Sequence, residues 1–235
     1  MPADPPDSLP HDDGIAPERS RKLLFALGAL GLVSAVIAAV VIVSSGGQPK
    51  TAEDPEAQVR TSDASLILGR PDAPTQVVVF EDFGSSVSRE FEIASRDFLE
   101  VEAAQGKVLV EYRPFPSTEG YSAQAVTAWA AVLQEGTAGE AAAFHELLFD
   151  RQPAQGAAPP TTAELDALAV EAGAEQGVVS AGIERGDPTF VEAAREAARA
   201  AEVDGLPTIL VDGQPLDRGT GIELADRLQR LILED

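Results

Sequence analysis

Hydrophobic and polar positions divide the chain after residue 61 into strand-like and helix-like segments. The β-branched run Gln76 to Phe80 (QVVVF) predicts a buried strand, and Lys107 to Phe115 predicts a second one. Between them, Arg89 to Ala104 predicts an amphipathic helix that ends before Gly106. The predicted apolar face of this helix carries Phe91, Ile93, Phe98 and Val101. A strand, helix, strand order with a crossover of this length favours a parallel pair of strands.

The middle of the chain is helical by the same criteria, and the end returns to strands. Helices are predicted from Tyr121 to Gly136, from Gly139 to Asp150, from Thr161 to Gly173, over a short stretch after residue 175, and from Asp187 to about Glu202. Thr161 with Glu164 and Thr220 with Glu223 form capping-box patterns. Strands are then predicted over Pro207 to Leu216, around a hairpin turn at Asp212-Gly213, before a last helix. The order is therefore β-α-β, a block of helices, then β-β-α.

The N-terminal part predicts an uncleaved membrane anchor, which we favour over a cleaved signal peptide and over a buried soluble helix. Residues 1–22 are rich in Pro and Asp and predict a disordered tail. Leu23 to Val43 carries no charge and is long enough to span a bilayer as a helix, since about 20 apolar residues suffice. The basic residues Arg19, Arg21 and Lys22 lie just before it, so the tail is expected in the cytoplasm and the remainder outside. Residues 44–60 predict a flexible linker, and residues 61–235 an extracytoplasmic domain.

Charge and cysteine content exclude several functions. The formal net charge is −22 at pH 7, which argues against nucleic acid as a partner. The chain contains no cysteine, which excludes disulfides, thiolate metal sites and thiol catalysis. No residue pattern predicts a cofactor, and a single histidine in the exported part predicts no metal site.

The predicted order of elements resembles the thioredoxin fold with a helical insertion, as in the DsbA-like disulfide oxidoreductases. Three stretches carry the resemblance across about residues 61–233: PDAPTQVVVFEDF before the first helix, AFHELLF from Ala143 to Phe149, and VDGLPTILVDGQPL from Val203 to Leu216. The resemblance implies an α/β, thioredoxin-like fold with an all-helical subdomain inserted at about residues 120–202. A single transmembrane helix is expected to precede this fold.

The family's Cys-x-x-Cys falls on the stretch Ser85-Ser86-Val87-Ser88. The resemblance implies a substrate-binding site of these four residues with Leu206 and Pro207, where the peptide bond before the proline is cis. Family chemistry needs one thiolate that attacks a disulfide and a second thiol that resolves the intermediate. Ser85 and Ser88 occupy the two cysteine positions, so we expect a redox-inert domain. We expect Ser85, Ser86 and Ser88 to serve in helix capping.

Three possibilities remain open from the sequence, and one of them is that the domain takes part in disulfide exchange only through the cysteines of a separate partner. The leading one is a non-catalytic binding or chaperone-like protein that receives an extended polypeptide or an envelope protein beside Pro207. The alternative is a family member with a residual, thiol-free activity at Ser85, which would need a base such as His145. For His145 we expect a satisfied, partly buried side chain, and for Glu81 and Asp82 a solvated or locally hydrogen-bonded position.

Overall fold

The computed structural model describes residues 59–62, 64–185 and 188–234. Within those ranges, no helix combines the length and the apolar composition that a membrane span requires. The predicted tail (1–22), the predicted transmembrane helix (23–43) and residues 44–58 of the predicted linker lie outside the described residues.

A mixed sheet of six strands forms the centre of the described part, in the order β1-β2-β4-β3-β5-β6. The strands are β1 (Val59–Ser62), β2 (Ser65–Leu68), β3 (Thr75–Glu81), β4 (Val108–Pro114), β5 (Thr208–Val211) and β6 (Gln214–Pro215). β3 and β4 are parallel, which confirms the prediction from their crossover helix, and the other neighbours are antiparallel. β1 begins within the last two residues of the predicted linker.

Seven helices accompany this sheet in the described residues. They are α1 (Ser86–Ala104), α2 (Tyr121–Glu135), α3 (Ala138–Asp150), α4 (Thr162–Glu171), α5 (Val178–Arg185), α6 (Thr189–Ala200) and α7 (Gly221–Glu234). Helices α2 to α6 lie between β4 and β5 in the chain and form the helical insertion. α1 packs along α7, while α3 contacts α1, α2 and the β1–β2 hairpin.

Capping and turn residues place the ends of these elements as the sequence predicts. The Thr161 hydroxyl accepts the Glu164 N–H, and the Glu164 carboxylate accepts the Thr161 N–H, which completes the capping box of α4. Thr220 and Glu223 make the same pair of bonds at α7. Asp212 has a φ of 49° and Gly213 a φ of 77°, as a tight hairpin turn requires. The predicted cap Asp187 lies outside the described residues, and α6 begins at Thr189.

The buried face of α1 differs from the predicted one. Ile93 and Val101 are 47% and 51% exposed, so their assignment to the core face was wrong. The residues buried on α1 are Ser88, Phe91, Glu92, Ser95, Leu99, Glu102 and Ala103. They keep helical spacing, but polar side chains occupy several of these positions because they have partners inside the fold. The hydroxyl of Ser95, for example, donates to the carbonyl of Phe91 at 2.8 Å.

One hydrophobic core joins the sheet to the insertion. Its largest fully buried aromatic side chains are Trp129, Phe83, Phe91, Phe144 and Phe149. The Phe83 ring lies 4.9 Å from that of Phe149 and 6.1 Å from that of Trp129, between centroids. Because Phe83 belongs to the loop between β3 and α1, that loop is packed directly into the insertion.

Candidate functional site

The loop between β3 and α1 presents the serine stretch at the start of a helix. Ser85 is the N-cap of α1, with extended backbone angles, and its hydroxyl accepts the Ser88 N–H at 3.2 Å. This confirms the capping expectation for Ser85, a contribution of about 1 kcal/mol, but not for Ser86 and Ser88, which lie in the first turn of α1. Ser86 is exposed, whereas Ser85 and Val87 are half-buried.

Ser88 differs from the three residues before it because it is fully buried. Its hydroxyl accepts the backbone N–H of Asp82 at 3.4 Å, a long bond that links the first turn of α1 to the end of β3. The structure therefore places Ser85, Ser86 and Val87 at the surface and Ser88 beneath them.

Asp82 orders the loop from inside the protein. Its Oδ1 accepts the Gly84 N–H at 2.7 Å, and its Oδ2 accepts the Ser122 hydroxyl at 2.7 Å. Oδ2 also accepts the backbone N–H of Ser117 at 3.0 Å and the hydroxyl of the same residue. Asp82 is only 1% exposed, so it is hydrogen-bonded as expected but not solvated.

Helix α3 holds the same loop from the other side. The side-chain amide of Gln152, just beyond α3, donates to the carbonyl oxygens of Phe83 at 2.6 Å and Ser85 at 3.0 Å. The guanidinium Nε of Arg89 donates to the carbonyl of Phe149 at 2.8 Å. Two bonds therefore fix the loop, and a third fixes the first turn of α1, to the C-terminal end of α3. No pattern near residue 152 of the sequence indicated these bonds.

The sheet brings the Leu206-Pro207 segment to the end of β3. Thr208 of β5 pairs with Phe80 of β3, so Pro207 precedes β5 where β3 runs into the serine loop. The peptide bond between Leu206 and Pro207 is cis, as the resemblance implied. Pro207 is buried and Leu206 is half-buried, so Leu206 offers the accessible apolar side chain.

His145 and Glu81 form a buried pair beneath the loop. The Nε2 atom of His145 lies 2.5 Å from the Oε1 atom of Glu81, and both residues are at most 2% exposed. Burial lowers the pKa of His145 to about 4, against an opposing effect of the Glu92 carboxylate. Burial raises the pKa of Glu81 well above its usual value, and the negative charge of Asp82 adds to this shift. Both shifts favour the neutral pair, in which a carboxylic acid donates to an imidazole, over an ion pair.

These contacts decide what the site can do chemically. His145 is engaged with Glu81 and enclosed by aromatic rings, while the hydroxyl of Ser85 is engaged with the helix start, so the contacts do not form a Ser–His pair. The His145 side chain has a hydrogen-bond partner, as expected, but it is fully buried rather than partly buried. The expectation that Glu81 is solvated or locally bonded was wrong, because its partner lies 64 positions along the chain. Among the described residues, no group of three or more His, Cys, Asp or Glu side chains is arranged to hold a metal ion.

A comparison of sequences identifies a family that covers most of the chain. Residues 61–232 match the family model described as "Thioredoxin". The chain belongs to the thioredoxin family. A search of the curated proteins found no match.

Solved structures place this family member beside the disulfide oxidoreductases. The reduced form of the disulfide bond oxidoreductase DsbG from Mycobacterium tuberculosis is 27% identical, with a TM-score of 0.56 over 74% of this chain and 86% of that one. Reduced DsbA from the same organism is 25% identical, with a TM-score of 0.57 over 77% and 93%. Oxidised BdbD from Bacillus subtilis, 22% identical with a TM-score of 0.60 over 82% and 98%, shares the fold. The DsbA-like resemblance read from the sequence is thereby confirmed, and this chain has no cysteine.

Proposed function

We propose that this protein is a membrane-anchored, extracytoplasmic DsbA-like domain that binds an extended polypeptide or a neighbouring envelope protein without exchanging disulfides. The single observation that carries the proposal is the retention of the DsbA-like fold in a chain without cysteine. Disulfide exchange requires a thiolate as nucleophile and a second thiol as resolving group. The hydroxyls of Ser85 and Ser88 supply neither, and the dipole of a helix N-terminus, about 1–2 kcal/mol, is too weak to ionise a serine near neutral pH.

The order of the loop supports binding as the remaining role. Bonds from Gln152 and to Asp82 fix the backbone around Ser85 before any ligand arrives. A surface that is already ordered loses little conformational entropy on binding, which favours affinity. Ser86 is exposed beside this backbone, and Leu206 supplies an apolar contact next to the same end of β3.

An extended polypeptide is the ligand class that fits this arrangement best. Backbone groups just before a strand can pair with an added strand, and alternate side chains of the ligand then meet the surface. The residues before β5 lie at the end of β3, where the serine loop starts. We place the ligand contacts at Ser85, Ser86, Val87, Leu206 and Pro207, with Ser88 as the buried support beneath them.

The N-terminal sequence supports the proposed location. Residues 23–43 are uncharged, basic residues precede them closely, and most acidic residues follow them. In membranes washed with alkaline carbonate the full-length chain should stay in the pellet. Protease added to intact cells should cleave the domain after residue 44, and full protection of that domain would contradict the orientation.

Photo-crosslinking tests the binding surface directly. p-Benzoylphenylalanine is placed at Ser86 or at Leu206 in the full-length chain in detergent micelles. The matched control position is Glu175, which is exposed and lies in the insertion. The probe ligand is a reduced and alkylated polypeptide, which is extended and cannot exchange disulfides.

We expect adducts from positions 86 and 206 and none from position 175. Equal labelling at all three positions, or no labelling at 86 and 206, would contradict the proposal.

A further inference from the structure

Four titratable side chains meet where β3, α1 and α3 pack together, beneath the serine loop. We call Glu81, Glu92, His145 and Glu146 the carboxyl cluster. His145 Nε2 lies 2.5 Å from Glu81 Oε1, and its Nδ1 lies 3.9 Å from Glu92 Oε1. Arg96 reaches the cluster from α1, with its Nε 2.8 Å from Glu92 Oε1 and its Nη1 3.6 Å from Glu146 Oε2. Glu81 and Glu92 are at most 1% exposed.

The cluster holds more carboxyl groups than positive charges. Arg96 is its only permanent cation among the described residues, because burial lowers the pKa of His145 to about 4. The Oε2 atoms of Glu81 and Glu92 are buried without a hydrogen-bond partner. A buried carboxylate oxygen without a hydrogen-bond partner is costly when the group is ionised, which favours the protonated acids. At Glu92 the ion pair with Arg96 offsets part of this cost.

The surrounding elements add negative charge or none. Asp82 on the β3 side, Glu100 on α1 and Asp150 on α3 are acidic, and Tyr112 on β4 is a buried phenol. The rings packed around His145 belong to Phe83, Tyr112, Trp129 and Phe149, which carry no charge near neutral pH. Burial raises the pKa of Glu146 to about 8, opposed by Arg96 and reinforced by neighbouring carboxylates. Burial also raises the pKa of Glu92.

Helix α3 connects the cluster to the serine loop. His145 and Glu146 belong to α3, and the same helix ends at the residues that hold the loop. The carbonyl of Phe149 accepts from Arg89, and Gln152 donates to Ser85. A change in how α3 packs on β3 and α1 therefore reaches the loop through these bonds.

We propose that the carboxyl cluster is a proton-operated latch that holds α3, and through it the serine loop, in the closed packing. Protons on the carboxyl groups keep α3 against β3 and α1. Loss of those protons at alkaline pH leaves buried negative charges that repel one another, so α3 and the loop loosen. This latch is independent of whether the loop binds a polypeptide.

The sign of the pH effect follows from proton linkage. A carboxyl group whose pKa is raised by folding binds its proton more tightly in the folded protein than in the unfolded chain. Its stabilisation is complete below the ordinary pKa of 4.5 and is lost as the pH rises through the raised value, about 8 for Glu146. The unfolding constant then rises by about ten-fold per pH unit for each proton released in that window.

The test compares the full-length chain with Glu146→Gln and Glu81→Gln, and uses Glu175→Gln as the matched control at an exposed site. Urea unfolding is followed by the fluorescence of Trp129, the only tryptophan of the chain, from pH 5 to 9. We expect the unfolding constant of the parent to rise with pH. Between pH 5 and 7, the increase per pH unit should be smaller in Glu146→Gln than in the parent by a factor of about ten. Glu146 lies at the rim of the cluster, so this variant alone decides the outcome if Glu81→Gln does not fold.

Hydrogen exchange separates the latch from general loss of stability. Protection factors, corrected for the intrinsic pH dependence of exchange, are measured for residues 84–89, for residues 144–152 and for residues 224–232 in α7. We expect the first two segments to lose protection toward pH 9 before α7 does, and Glu146→Gln to keep it. A pH slope in Glu146→Gln equal to that of the parent and of Glu175→Gln would overturn the proposal. A parallel loss of protection in all three segments would also overturn it.

Discussion

Replacing Asp82 by asparagine removes the charge from the buried carboxylate that orders the serine loop. Gly84 donates to its Oδ1 at 2.7 Å. The backbone N–H of Ser117 at 3.0 Å, the Ser117 hydroxyl and the Ser122 hydroxyl at 2.7 Å all donate to its Oδ2. Asp82 is 1% exposed, so water does not replace a bond that is lost.

The four bonds give the magnitude of the effect on the free energy of unfolding. Asparagine has one acceptor oxygen, which fits the Oδ2 position because three of the four donors meet there. Its NH2 group then faces the Gly84 N–H, so a bond to a charged group worth about 1.5–3 kcal/mol is lost. The other three become neutral bonds, each weaker by about 0.5–1 kcal/mol. We expect Asp82→Asn to lower the free energy of unfolding by about 4 kcal/mol.

Urea unfolding with Trp129 as the reporter measures this loss. Asp226→Asn is the matched control, because Asp226 is exposed on α7, and we expect a change within about 0.5 kcal/mol. Ser122→Ala removes a single donor and should cost about 1–2 kcal/mol. If Asp82→Asn changed the free energy of unfolding no more than Asp226→Asn does, the Asp82 bonds would not hold the loop and the reasoning would be refuted.

Three further changes test the packing, the family assignment and the proposed binding surface. Gly221→Ala should lower the free energy of unfolding, measured by urea titration, by about 1–3 kcal/mol. The reason is that an added Cβ would lie 2.4 and 2.5 Å from backbone atoms of α1. Unchanged stability would contradict this packing. The double variant Ser85→Cys, Ser88→Cys should form an internal disulfide on oxidation, which mass spectrometry detects. In the reduced variant, the pH dependence of alkylation should give the thiol at position 85 a pKa below about 8.5. Two free thiols after oxidation would contradict the assignment of these positions. Leu206→Ala should weaken binding of a reduced and alkylated polypeptide by about 5- to 30-fold, because about 1–2 kcal/mol of apolar contact is lost. The control Leu233→Ala, at an exposed position, should leave binding unchanged. Equal effects of the two variants would argue against Leu206 as a contact.

The sequence predicts those parts of the fold whose determinants are local. Capping boxes at Thr161 and Thr220 and the turn at Asp212-Gly213 each depend on residues within four positions of one another, and all are present. The parallel pairing of β3 and β4 also follows from local order, because a helix of that length separates them. The β1–β2 hairpin was not predicted, although the apolar run from Ser65 to Leu68 gave a signal for its second strand.

The interior of the site could not be predicted because its partners are distant in the chain. Asp82 is satisfied by donors 35 and 40 positions away, and His145 pairs with Glu81 across 64 positions. Glu92 reads as a solvent-facing residue of an amphipathic helix, yet it is buried against Arg96 and His145. A polarity pattern assigns charged residues to the surface, so it places Ile93 inside and Glu92 outside, the reverse of the structure.

The measurement that tests the central claim most directly follows binding and disulfide exchange on one peptide. The peptide is unfolded and carries a fluorophore and a quencher joined across a disulfide, so anisotropy reports binding and dequenching reports exchange with added glutathione. With the full-length chain we expect anisotropy to rise with protein concentration while dequenching proceeds at the rate seen without protein. Acceleration of dequenching by the protein would contradict a DsbA-like domain that binds without exchanging disulfides. Anisotropy that does not change with protein concentration would also contradict it.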